Sequence, residues 1–144
     1  MAHLFIFGLG YSAKRIRDAL EEHGWRVTAT GSAGELAFDD ELAVRAVLAA
    51  ASHVLSSVPP SEAGDPVLSR YGDALGHGWL GYLSSTGVYG DTGGAWVDET
   101  AQPNPSNARG YRRLLAEKQW LEFGARHEIA AHVFRLPGRT PRDR

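Results

Sequence analysis

The chain has 144 residues, 43% of them hydrophobic and 22% charged, with a formal net charge of −2. That is the make-up of one ordinary globular domain, and the charge argues against nucleic-acid binding through a broad basic face. The lack of cysteine removes disulfides, thiolate nucleophiles and cysteine-based zinc sites together.

In chain order, His3 to Phe7 is a nearly continuous apolar run followed at once by glycine, the pattern of a strand buried on both faces. The apolar start, Met1 to Gly10, lacks the basic region and cleavage site of a signal peptide, and no apolar run approaches the ~20 residues of a membrane span. A cytoplasmic location without membrane contact is therefore expected. Ser12 to His23 changes to helical period, with Ala13, Ile16, Ala19 and Leu20 on one face and Gly24 placed to end the helix. Trp25 to Thr30 is a second strand rich in β-branched residues. Glu41 to Ala51 reads as a helix, His53 to Val58 as a strand, Pro66 to Leu75 as a helix and Trp79 to Ser84 as a strand. Gly87 to Ser106 is a long loop rich in glycine and proline, a length that usually carries function. Arg109 to Phe123 is a helix ended by Gly124, and Ala131 to Leu136 is the last strand. Residues 1–138 form the expected domain, and 139–144 a basic, disordered tail.

Strands alternating with helices predict a doubly wound parallel sheet between helical layers. One connection does not fit. Only Gly31 to Glu35 separate the second strand from the apolar stretch Leu36 to Phe38, and a parallel crossover needs about a dozen residues. That stretch is either an irregular edge segment or a strand entering in an unusual way.

Gly8-Leu9-Gly10-Tyr11-Ser12-Ala13 is a G-x-G-x-x-A turn between a predicted strand and a predicted helix. In that context Gly8 permits the tight turn and Gly10 clears the approach of a pyrophosphate. Ala13 lets helix and strand pack closely, and the helix start faces the phosphates. NAD or NADP is the expected cofactor. The end of the second strand, Thr30-Gly31-Ser32, offers neither the carboxylate that suits NAD nor the arginine that suits NADP. Asp39 and Asp40 could reach the adenine side or cap the helix that begins at Glu41.

Four stretches in order resemble the extended short-chain dehydrogenase/reductase family, the NAD-dependent epimerase/dehydratase group. They are FGLGYSA (Phe7 to Ala13), HVLSSVPP (His53 to Pro60), and LSSTGVYGD (Leu83 to Asp91) with WVDETAQPNPSNARG (Trp96 to Gly110). The fourth is LLAEKQW (Leu114 to Trp120), continued by HVFRLPG (His132 to Gly138). The resemblance implies a Rossmann-type three-layer fold without the family's C-terminal substrate part. It implies hydride transfer to a carbonyl or sugar-like small molecule. The alternatives are a catalytically inactive dinucleotide sensor or scaffold, or a truncated, non-functional fragment. It implies cofactor contacts at Gly8, Leu9, Gly10, Tyr11, Ser12, Ala13, Asp39, Ser57 and Arg113, and a catalytic hydroxyl at Ser85 with Thr86 adjacent. It also implies a homodimer joined through the helices Pro66 to Leu75 and Arg109 to Phe123.

The chain departs from the family where proton transfer is done. The family's tyrosine and lysine positions fall on Arg109 and Arg113. Arginine stays protonated and cannot serve as general acid or base near neutral pH, although Arg113 could still hold a ribose. Tyr111 lies about 200° round the helix from Arg109 and points elsewhere. Loss of general acid–base help costs about 10²–10⁴-fold in rate. The six histidines show no metal-ligand spacing. Trp96 either covers the cleft or anchors its loop, and Tyr89 packs at a strand end.

Overall fold

The computed structural model describes residues 2–76, 78–89, 103–105 and 107–136. Its strands are β1 (His3–Phe7), β2 (Arg26–Ala29), β3 (His53–Ser56), β4 (Trp79–Ser85) and β5 (Ala130–Leu136). Its α-helices are α1 (Tyr11–Glu22), α2 (Glu41–Ala50), α3 (Pro66–Tyr71) and α4 (Ala108–His127). The five strands form one sheet in the order β2-β1-β3-β4-β5, and every pairing is parallel. This is the expected Rossmann-type α/β architecture. The chain leaves β1 toward β2 on one side and returns to β3 on the other. The direction of winding therefore reverses between β1 and β3, which opens a crevice at their carboxyl ends.

Alternate residues of β1 feed two cores. Leu4 and Ile6 face α1, where Ala13 is buried and Ile16 and Leu20 pack alongside. Phe5 and Phe7 face the opposite layer, with Val44 and Leu48 of α2, Tyr71 of α3 and Trp120 of α4. Buried on both faces, β1 needs apolar residues without a break, which is why it reads as a run.

Two helix ends differ from the sequence reading by more than a residue. The helix expected over Pro66 to Leu75 tightens into a 3₁₀ turn, Gly72–Ala74, after Tyr71. The last helix does not stop at Gly124 but runs to His127, and Glu128 closes it in the left-handed region (φ 57°). Gly124 serves packing instead. A Cβ there would lie 2.6 Å from the Ala131 Cβ and 2.8 Å from the Ile129 carbonyl. The Leu36 segment is the irregular alternative. Leu36 forms an isolated parallel bridge with Thr30 and contributes no further strand. The connection folds straight back on β2, so closely that a Cβ on Gly34 would lie 2.4 Å from the Ala29 carbonyl oxygen.

Candidate functional site

The glycine turn sits at the crevice and is held there by backbone and hydroxyl contacts. Gly8 adopts φ +87°, a conformation that favours glycine. Its N–H donates to Thr30 Oγ1 at 3.1 Å, and the Leu9 N–H donates to the Thr30 carbonyl at 3.0 Å. The Ser57 hydroxyl donates to the Gly8 carbonyl. Thr30, 1% exposed, and Ser57 thus clamp the turn from the two neighbouring strand ends. Sequence reasoning noted Thr30 only as lacking the carboxylate or arginine that would contact the ribose. A β-branched hydroxyl at the end of the strand beside the turn was the signal for this role.

Gly10 caps α1 and has no side chain to satisfy the helix start. The N–H groups of Ser12 and Ala13 have no acceptor among the described residues. A Cβ on Gly10 would meet nothing within 4 Å. The turn therefore offers free donors, the positive end of a helix dipole and open space, which fits a bound pyrophosphate. A cavity of about 380 Å³ lies against it, lined by Gly10, Ser12, Ser57, Ser84 and Arg113 among others. Tyr11 carries the Arg15 guanidinium 4.7 Å from its ring centroid.

Arg113 separates this cavity from a second one of about 590 Å³, whose wall includes Pro59, Pro60, Ser85, Arg109 and Arg112. Ser85 closes β4 and lines this second space. Thr86 opens the 3₁₀ turn Thr86–Tyr89, and its side chain lies outside the described residues. Asp39 is exposed and precedes α2. Its carbonyl accepts from Arg70 at 3.3 Å, while the cap of α2 is Asp40, accepting from the Ala43 N–H. Trp96 and the Asp98-Glu99 pair lie outside the described residues.

The chemistry around Arg113 is not that of a tyrosine–lysine pair. One Arg113 amino nitrogen donates to the Tyr82 hydroxyl at 3.0 Å and the Leu83 carbonyl at 3.3 Å. Tyr82 is fully buried in β4. Burial pushes its phenol up to about 12, against the opposing pull of the Arg113 charge, so it stays protonated at neutral pH. This contact was not legible in the sequence, because Tyr82 and Arg113 lie 31 positions apart on different elements. Tyr111 is 58% exposed, on a different side of α4 from the cavity.

Beneath Arg113 runs a buried network. Glu117, 2% exposed, accepts from the Ser84 hydroxyl at 2.5 Å and from both sides of the Arg135 guanidinium at 2.7 and 3.0 Å. Arg135 also donates to the Tyr89 hydroxyl at 3.1 Å. These bonds tie the carboxyl end of β4, its following turn, α4 and β5 into one support under the cavities. Tyr89, 6% exposed, is buried at the strand end.

No family model matches the chain, and no curated protein matches it. Solved structures do. A functionally unknown conserved protein from Silicibacter pomeroyi DSS is 38% identical with a TM-score of 0.75, over 94% of this chain and 53% of that one. UDP-glucuronic acid 4-epimerase from Bacillus cereus, in complex with UDP-glucuronic acid and NAD, is 16% identical with a TM-score of 0.70, over 92% and 55%. RMD from Pseudomonas aeruginosa, complexed with NADPH, is 20% identical with a TM-score of 0.65, over 94% and 54%. The chain has the fold seen in these structures and spans about half of their length.

Proposed function

We propose that this chain binds NAD or NADP as an epimerase- or reductase-like protein. The dinucleotide pyrophosphate would lie over Gly10, within reach of the Ser12 and Ala13 N–H groups. Gly8, Leu9, Tyr11 and Ser57 shape the turn beneath it, and Arg113 stands at the junction toward the nicotinamide ribose. The observation that carries the reading is the uncapped start of α1, aimed into the crevice where the strand order reverses. A bound nicotinamide would supply hydride transfer. The protein's own part would be to hold it and to orient a substrate oxygen from Ser85 in the neighbouring cavity.

A second reading, a dinucleotide-dependent sensor without turnover, is favoured by Arg109 and Arg113 themselves. Neither can donate or accept a proton near neutral pH, and the nearest phenol, Tyr82, is buried and held protonated. Replacing Arg109 with Tyr and Arg113 with Lys together separates the readings. A weakened reductase or epimerase gains rate, toward the ~10²-fold lower end for general acid–base catalysis. A sensor changes only its affinity.

The binding claim is tested by Gly10→Val. The site has room for the new side chain and a φ of −92°, so the domain folds, at a capping cost of about 1 kcal/mol or less. Valine then fills the space assigned to the pyrophosphate. Calorimetric titration should show NADH and NADPH binding to the natural chain and none to the variant. Equal affinity in both would remove the turn from the site.

A further inference from the structure

The cavity beside Ser85 has an unbalanced wall. Three arginines, Arg109, Arg112 and Arg113, line about 590 Å³ together with Ser85, and no carboxylate of the described residues belongs to the lining. Among the described residues, Arg112 alone of the three forms an ion pair, with Glu62 at 3.0 Å. Arg113 spends its contacts on two neutral oxygens, the Tyr82 hydroxyl and the Leu83 carbonyl. Arg109 makes no hydrogen bond or ion pair with a described residue. Two guanidinium charges four positions apart therefore face one cavity without an ion pair to a described residue, and the Arg113 charge acts only at longer range, on the buried Asp65 carboxylate. They also sit near the start of α4, where the helix dipole already places positive potential and no acidic residue offsets it. Positive charge gathered at the wall of a cavity suits an anionic ligand.

We propose that this cavity is an oxyanion subsite. Its ligand would be a small organic molecule whose carboxylate or phosphate group is held between Arg109 and Arg113, next to Ser85. The guanidinium fork matches both groups in shape and donates two parallel hydrogen bonds. The volume suits a small ligand, and Ser85 adds a neutral hydroxyl at the wall. The proposal rests on the dinucleotide reading of the adjoining cleft, because Arg113 borders both cavities. On that reading the anion would mark the substrate, and the arginines would select it where the family's tyrosine and lysine would act on it.

The test is a titration of the 144-residue chain with inorganic phosphate and, separately, with succinate. Each is done with and without saturating NADH and followed by backbone amide NMR shifts. One of the two anions should bind saturably in the presence of NADH and move the amides of Asn107 to Gly110. Arg109→Gln should weaken that binding at least roughly tenfold, the loss expected for a charge-assisted bond. Arg109→Lys should retain part of it, and NADH affinity should stay unchanged in both variants. Anion binding displaced by NADH would belong to the glycine turn and would overturn the proposal. So would binding indifferent to Arg109→Gln, or no saturable shift with either anion. If NADH itself fails to bind, the dinucleotide reading falls. Arg109-dependent anion binding in its absence would still uphold the subsite.

Discussion

Glu117 shows how much of this site is settled by single residues far apart in sequence. It is 2% exposed and faces Ser84, while the Arg135 guanidinium pairs with it at 2.7 Å. The Glu117 hydrogen bonds hold the Arg135 guanidinium above its ordinary value, so that it stays charged. Removing one partner of a buried pair strands the other's charge and costs about 3–5 kcal/mol, and the 19% side-chain exposure of Arg135 moves the expected loss to the low end. Glu117→Ala should therefore lower unfolding free energy by roughly 3 kcal/mol in urea. Glu117→Gln, which keeps the shape and some of the bonds, should lose less. Equal stability of all three proteins would show that the network carries no load. In the sequence Glu117 is one helical carboxylate among several, and its partners Ser84 and Arg135 lie 33 and 18 positions away. The turn at Gly8 and the close packing at Ala13 were legible because they depend on local backbone geometry. The Tyr82–Arg113 and Glu117–Arg135 contacts were not, because each depends on which strand lies beneath α4.

Among the elements, the connection from β2 to α2 departs most from the usual plan. Where a crossover helix would be expected, residues 30–40 turn back on β2 and are held by Glu35. Its carboxylate accepts from the Ala29 N–H at 2.9 Å and pairs with Arg17 of α1 at 2.6 Å. Burial alone would raise the Glu35 carboxyl, but the bonds from Arg17 and Ala29 outweigh it and leave it below its ordinary value. The folded state thus binds this proton less readily than the unfolded chain. Its contribution is complete above the ordinary carboxyl value of 4.5 and is lost as pH falls through the lower folded value. The pair is half open to solvent, so the contribution is under about 1 kcal/mol at low salt and smaller at high salt. Glu35→Gln should flatten the acid limb of the pH–stability curve below that range while changing neutral stability little. An unchanged acid limb would mean that the turn does not depend on the pair. The sequence already marked this connection as too short for a helix. How it closes depends on Gly34 meeting the Ala29 carbonyl and on Arg17 reaching across from a separate element.

For the whole molecule, the two faces of the sheet are covered unequally. Among the described residues, helices α2, α3 and α4 cover one face, and α1 alone packs on the other. Beside α1 runs an apolar groove of about 450 Å³ lined by Trp25, Leu55, Trp79 and Phe134 among others, with Phe134 42% exposed. On α4, Tyr111 and Leu115 lie one turn apart and are 58% and 56% exposed. Apolar surface of this kind favours association. We propose that copies pair through α4, and sedimentation should find a dimer or larger species at high protein concentration. Tyr111→Lys with Leu115→Glu should shift the population toward monomer. A clean monomer of the natural chain at high concentration would count against the pairing.

The sequence by itself determined the class of fold, the succession of its elements and the glycine turn. These follow from residue period, from turn chemistry and from backbone clearance, all of which act within a few neighbouring positions. On the resemblance, it also leads one to expect arginine where that family has tyrosine and lysine. Only the tertiary structure decided what those arginines face. Parallel strands are joined through long crossovers, so residues that meet at the carboxyl ends of β1, β3 and β4 come from distant parts of the chain. Burial of Tyr82, the pairing of Glu117 with Arg135 and the cavity shared by Ser85, Arg109 and Arg113 are products of that convergence. Local pattern carries no record of it, because the dielectric surroundings and hydrogen-bond partners of a side chain are set by the elements packed against it.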